Sequence, residues 1–245
     1  MRLPGGGELG VRTFDLAHGA ESALSVPCGG PEAWLIPLDD ARLLQAARAV
    51  LSADERDAAN RFATPTLADR FTAARGALRL LLGRWLDRDP RDVRFVRNDY
   101  GKPFVPDGPF FNLSHAEGLA AVAVFPDREV GVDIERLAPF SAVRGVAEEF
   151  FSPGERAWIA GGTPPEARFF RCWVLREAFV KALGQGLSFP LERFRILTPP
   201  GRDVSVAVSD GAAHGVRLTE WRPAEGFVGA LAVREGPTCY EEERR

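Results

Sequence analysis

From Arg128 to Arg136 apolar and polar residues alternate cleanly. Val130, Val132 and Ile134 fall on one face, and Gly131, Asp133 and Glu135 fall on the other, which predicts a strand. Short apolar runs at Ala33–Leu38, Ala120–Val124 and Val228–Val233 predict further strands. Elsewhere the period is helical. Two long stretches, Ala68 to Gly83 and Ala167 to Gly184, each end on a glycine suited to a C-terminal cap. Shorter helices are announced by Ser52-Ala53-Asp54-Glu55 and Ser152-Pro153-Gly154-Glu155, two Ser-x-x-Glu capping boxes. Pro153 suits the first helical position.

The same elements occur twice, at an offset of about one hundred residues. Thr64-Pro65 recurs as Thr163-Pro164, and Arg94-Phe95-Val96 recurs as Arg193-Phe194-Arg195. Each half reads strand, short helix, long helix, strand, strand. The expected fold is α+β, with two similar subdomains, each a small antiparallel sheet packed with a long helix. The expected boundaries are an N-terminal subdomain at 31–127 and a C-terminal subdomain at 128–245. Residues 1–30 have no counterpart and are rich in Gly, Ala and Ser, so a partly mobile extension is expected there.

Composition narrows the function. The net charge is -3, with 31 basic and 34 acidic residues interspersed, so no nucleic-acid partner is expected. No apolar run approaches the length of a membrane span, and Met1–Gly10 lacks the apolar core of a signal peptide. The three cysteines have neither paired nor metal-ligand spacing, which favours a reducing compartment. A cytoplasmic protein without a membrane partner is expected, and a monomer, since one chain supplies both halves.

Charge in apolar surroundings marks the candidate chemistry. Phe169 to Leu183 is apolar nearly all round, with only the Arg171, Ala178, Ala182 side expected to meet water. Glu177 and Lys181 lie one turn apart on the stripe of Phe170 and Val174. Taken alone they also fit an ordinary i,i+4 salt bridge, and Asp133-x-Glu135 alone fits a solvated strand face. Together, three carboxylates and a lysine suit Mg²⁺, a hard cation that takes oxygen ligands, with an ammonium left for phosphate charge. Asn98-Asp99-Tyr100-Gly101-Lys102-Pro103 is turn chemistry, followed by Phe111-Asn112-Leu113-Ser114-His115 before a strand. Lys102, Ser114 and His115 offer donors to a phosphate-rich ligand. Asp69-Arg70-Phe71 opens the first long helix, and Arg75 further along is expected on its solvated face.

These segments taken in order resemble the 4′-phosphopantetheinyl transferase superfamily, surfactin-activating (Sfp-like) type. That family shows Gly-Lys-Pro, Phe-Asn-x-Ser-His, Gly-x-Asp-x-Glu and Trp-x-x-Lys-Glu-x-x-x-Lys. Here they stand as Gly101-Lys102-Pro103, Phe111 to His115, Gly131 to Glu135 and Trp173 to Lys181, with Arg176 for the inner lysine. The resemblance implies transfer of the 4′-phosphopantetheine arm of coenzyme A to a serine of an apo acyl or peptidyl carrier protein. It implies coenzyme A lying between the two subdomains, and Mg²⁺, with Mn²⁺ as a substitute, on Asp133, Glu135 and Glu177. Glu177 would take the serine proton and Lys181 would neutralise the departing 3′,5′-ADP. Arg70, Gly101, Lys102, Pro103, Ser114, His115 and Lys181 would line the coenzyme A site.

Leu137 to Val146 follows the acidic strand, and Pro139 and Gly145 argue against a long regular element there. Phe140, Val143 and Arg144 are therefore expected on an irregular docking surface for the carrier protein, although Phe140 and Val143 also suit packing onto the second half. A metal-dependent nuclease would use the same carboxylates and lysine, but it needs a basic track that the charge balance argues against. A non-catalytic coenzyme A-binding protein would have no need of all three carboxylates and Lys181.

Overall fold

A computed structural model describes residues 10–16, 31–186, 189, 194–197, 205–208 and 215–234. Cys28, Cys239, the charged tail and most of the N-terminal extension lie outside the described residues. By its contacts the chain divides into two compact units. Of the described residues, those from Gly10 to Arg97 and from Pro103 to Asp127 form one, and Asn98–Lys102 with those from Arg128 to Arg234 form the other.

The first unit begins with β1 (Gly10–Thr13), β2 (Glu32–Pro37), α1 (Ala41–Val50), α2 (Ala53–Ala59) and α3 (Pro65–Trp85). It continues through the short hairpin strands β3 (Val96–Arg97) and β4 (Pro103–Phe104) to β5 (Phe110–Ala116) and β6 (Leu119–Phe125). The main sheet runs β1-β2-β6-β5. The β2–β6 and β5–β6 pairs are antiparallel, and β1 lies parallel along β2. The described part of the extension thus contributes an edge strand. Ser52 caps α2 as the motif predicts, with Glu55 closing the box, and Thr64 caps α3 with Pro65 in its first turn. Ala73, Ala77, Leu78, Leu81 and Leu82 of α3 share a core with Ile36, Phe111, Ala120, Val122 and Val124 of the sheet. Each fully buried aliphatic side chain contributes roughly 1.5–3 kcal/mol.

The second unit repeats this plan with β7 (Val130–Arg136), α4 (Phe140–Phe150), α5 (Pro153–Ala160), α6 (Pro165–Leu183), β8 (Phe194–Leu197), β9 (Ser205–Val208), β10 (Val216–Trp221) and β11 (Phe227–Arg234). Its sheet runs β10-β11-β7, all antiparallel. This corresponds to β5-β6-β2 of the first unit. Val174, Leu175, Ala178 and Phe179 of α6 pack with Leu218, Ala230 and Ala232. The cross-strand partners of Asp133 and Gly131 on β11 are Ala230 and Ala232, so α6 covers the sheet face that carries the carboxylates.

Two expectations change here. Ala178 and Ala182 do not face water but are fully buried. A Cβ on Gly131 would stand 2.0 Å from the Ala178 carbonyl oxygen and 2.4 Å from the Ala182 nitrogen. Small residues on α6 and a glycine on β7 are therefore a point of close backbone approach. Leu137–Val146, expected to be irregular, is mostly helix: α4 starts directly after Pro139. Phe140, Val143, Val146, Ala147 and Phe150 recur at helical spacing and turn toward Phe169 and Trp173, and this apolar stripe outweighs Gly145.

Candidate active site

Asp133 lies in the middle of β7 and is buried. Lys181, in the last turn of α6 and three residues before its cap at Gly184, reaches across, and its Nζ donates to Asp133 Oδ1 at 2.6 Å. Glu135, two residues on and on the same strand face, accepts from the Trp173 indole Nε1 at 3.2 Å. Glu177, one turn before Lys181, completes the group from α6. Burial pushes the Glu135 carboxyl up to about 7, with the charge of Asp133 adding to the shift and Trp173 and Lys181 opposing it. Glu177 is likewise raised, first by burial and then by Asp133, against the pull of Lys181 and Arg176.

A cation is thus already in use at this spot, supplied by the chain itself. The donor set has the chemistry that a hard divalent ion takes, and a bound ion would offset the burial and the repulsion from Asp133 that raise Glu135 and Glu177. In the present arrangement Lys181 and Trp173 each occupy a carboxylate oxygen. Among the described residues no three carboxylate, imidazole or thiolate groups converge on one point.

Arg176 holds the same helix in place. It is 1% exposed, and its guanidinium lies over the Phe151 ring at 4.4 Å. It donates to Glu155 Oε1 at 2.8 Å and to the Phe150 carbonyl. Glu155 is the capping-box residue of α5, so one carboxylate closes a helix cap and anchors the neighbouring helix. The first unit has the same device. Arg75 and Arg79 both donate to Glu55, the capping-box residue of α2, and both lie over the Phe95 ring. Arg75 is therefore largely buried, not solvated as expected. The signal was available in the sequence, as a capping-box Glu followed about twenty residues later by Arg in an apolar helix.

The remaining predicted residues are distributed as follows. The turn Asn98–Lys102 belongs to the second unit. Asn98 Oδ1 accepts from the backbone of Tyr100 and Lys102, and its Nδ2 donates to the Gly184 carbonyl at 3.0 Å, beyond the end of α6. Gly101 has φ 86°, a conformation favouring glycine, and Pro103 begins β4. Lys102 was expected to offer its ammonium to a ligand. It is nearly buried and donates to Glu129 and to the Val130 carbonyl at the start of β7. In the first unit, Ser114 and His115 are neighbours on β5 and so point to opposite faces, Ser114 buried and His115 exposed. Arg70 forms a two-pronged ion pair with Asp39, which holds that carboxyl below its ordinary range. Arg70 also stands beside Gly118 in the β5–β6 turn, three residues beyond His115.

The chain matches known proteins over this region. A family model described as the 4′-phosphopantetheinyl transferase superfamily covers residues 129–232. The chain is 39% identical to the 4′-phosphopantetheinyl transferase HetI of Nostoc sp., over 82% of this chain and 86% of that protein. It is 32% identical to the 4′-phosphopantetheinyl transferase Sfp of Bacillus subtilis, over 65% of this chain and 72% of that one. A phosphopantetheinyl transferase of Thraustochytrium sp. is 32% identical over 76% of this chain and 72% of its own length.

Proposed function

The chain belongs to the 4′-phosphopantetheinyl transferase superfamily, and from that premise we propose that it moves the 4′-phosphopantetheine arm of coenzyme A onto a serine of an apo acyl or peptidyl carrier protein, releasing 3′,5′-ADP. The observation that carries this reading is the group Asp133, Glu135, Glu177 and Lys181, set between β7 and α6 inside the matched stretch. Mg²⁺, or Mn²⁺ in its place, would be held by the three carboxylates and would neutralise pyrophosphate charge when bound. Glu177, directly or through water, takes the proton of the carrier serine. The serine oxygen bonds to the phosphorus that carries pantetheine, the bond from that phosphorus to the bridging oxygen breaks, and its electron pair leaves on 3′,5′-ADP. Lys181, released from Asp133, neutralises the charge that develops on the leaving phosphate.

Arg70, Ser114 and His115 would meet the nucleotide end of coenzyme A. Lys102 would join them on exchanging Glu129 for phosphate, with Gly101 and Pro103 shaping its turn. The exposed face of α4, carrying Arg144, would receive the carrier, with Phe140 and Val143 seating that helix. The test is mass spectrometry of apo carrier proteins mixed with the protein, coenzyme A and Mg²⁺. The expected result is a phosphopantetheine mass gain that disappears with Asp133→Ala. No gain on any carrier, from protein that is folded and binds coenzyme A, would sink the proposal.

A further inference from the structure

Trp173 is half-buried on α6, and its ring is gripped from three sides. It stacks on Phe169 at 6.1 Å with planes 10° apart, meets Phe150 of α4 edge-on at 5.9 Å and leans on Phe151 at 6.3 Å. An indole held in this way has little freedom, and its one polar atom points at a carboxylate: Nε1 donates to Glu135 Oε1 at 3.2 Å. Glu135 is thereby fixed on the strand face it shares with Asp133. We infer that Trp173 is a positioning residue, which orients the Glu135 carboxylate for the divalent ion. This rests on the metal role proposed above for Glu135. Residues that orient a ligand from behind typically change metal affinity about 10–100-fold when lost. The inference also ties α4, through Phe150, to the carboxylate group, since Phe150 is one wall of the ring's seat.

The experiment measures Mn²⁺ affinity by electron paramagnetic resonance in four proteins: the unaltered chain, Trp173→Phe, Glu135→Gln and the double variant. Phenylalanine keeps an aromatic ring and removes the N–H donor. Trp173→Phe is expected to weaken Mn²⁺ about tenfold, with coenzyme A affinity measured without metal unchanged. In the Glu135→Gln background the same substitution is expected to add nothing, because the group it positions is gone. A purely structural tryptophan would weaken binding by the same factor in both backgrounds. That result, or unaltered Mn²⁺ affinity in Trp173→Phe, overturns the inference. A benzothienylalanine at position 173, which keeps the bicyclic shape without the N–H, gives the same reading if Trp173→Phe fails to fold. If the unaltered chain takes up no Mn²⁺ at all, the metal reading itself fails and this inference falls with it.

Discussion

At the scale of the residue, the decisive fact is where charge sits among apolar neighbours. Asp133, Glu177 and Lys181 were legible in the sequence because charges in such surroundings need a partner or a ligand. The indole bond to Glu135 was not legible, since Trp173 reads as one more apolar residue until its ring orientation is known. The same limit hid the partners of Lys102 and Arg70, each of which already serves a carboxylate. This gives a prediction about coenzyme A. If Arg70, Lys102 or His115 holds the 3′-phosphate, changing that residue to Ala should weaken coenzyme A by roughly 1.5–3 kcal/mol and leave the analogue lacking that phosphate unaffected. Calorimetry with both ligands decides the matter. Equal losses for both ligands in all three variants would remove the 3′-phosphate role from this set.

At the scale of the element, the contact between β7 and α6 sets the candidate site. Backbone meets backbone at Gly131, so an added methyl has nowhere to go. Gly131→Ala should cost about 1–3 kcal/mol through overpacking and displace Lys181 from Asp133. The check is a lowered melting temperature together with a loss of turnover larger than the loss of folded protein explains. Helix α4 is one of the elements that sequence reasoning missed, with α1 and β1. Pro139 and Gly145 were weighed as breakers, whereas a proline preceding a helix is harmless and the apolar spacing from Phe140 to Phe150 was the better signal. Arg144 on its outward face is exposed and only loosely paired to Glu148 at 3.8 Å, so it can offer its charge to an acidic partner although Glu148 and Glu149 are exposed beside it. Arg144→Glu should therefore lower kcat/KM for the carrier most at low salt, with coenzyme A affinity and melting temperature unchanged. Phe140→Ala should lower the melting temperature, since its ring meets Phe169 at 6.4 Å. A salt-independent response of Arg144→Glu would argue against docking on this face.

At the scale of the whole molecule, the two units share a plan but not a chemistry. Aligned on Gly83, which lies in the last turn of α3 and not beyond its end as expected, and on Gly184, which caps α6, Arg75 corresponds to Arg176, Gly76 to Glu177 and Leu80 to Lys181. The structural arginine occurs in both units, and the charged pair in one. At Gly76 a Cβ would stand 2.2 Å from the Ala47 Cβ, so α1 fills the place where Glu177 projects in the second unit. The paired caps and strands made the repeat readable from sequence, whereas the absence of the charged pair from the first unit follows from packing at Gly76. The shared device gives a prediction that depends on pH. Burial alone would raise the Glu55 carboxyl, but Arg75 and the hydrogen bonds from Arg79 and Ser52 bring it below its ordinary range. A depressed folded-state value means that the unfolded chain takes up its proton first as pH falls. Glu55 thus stabilises the fold above the ordinary value of 4.5, and that stability is lost as pH drops through the folded value. Glu55→Gln leaves two largely buried guanidinium groups without their anion and should cost about 3–5 kcal/mol at pH 7, the cost of breaking a buried pair. Urea unfolding at neutral pH and at successively lower pH should show the gap between the two proteins narrowing once pH passes below the ordinary carboxylate range. A gap that stays constant across that range would mean that Glu55 acts through its shape and its helix cap, and not through its charge.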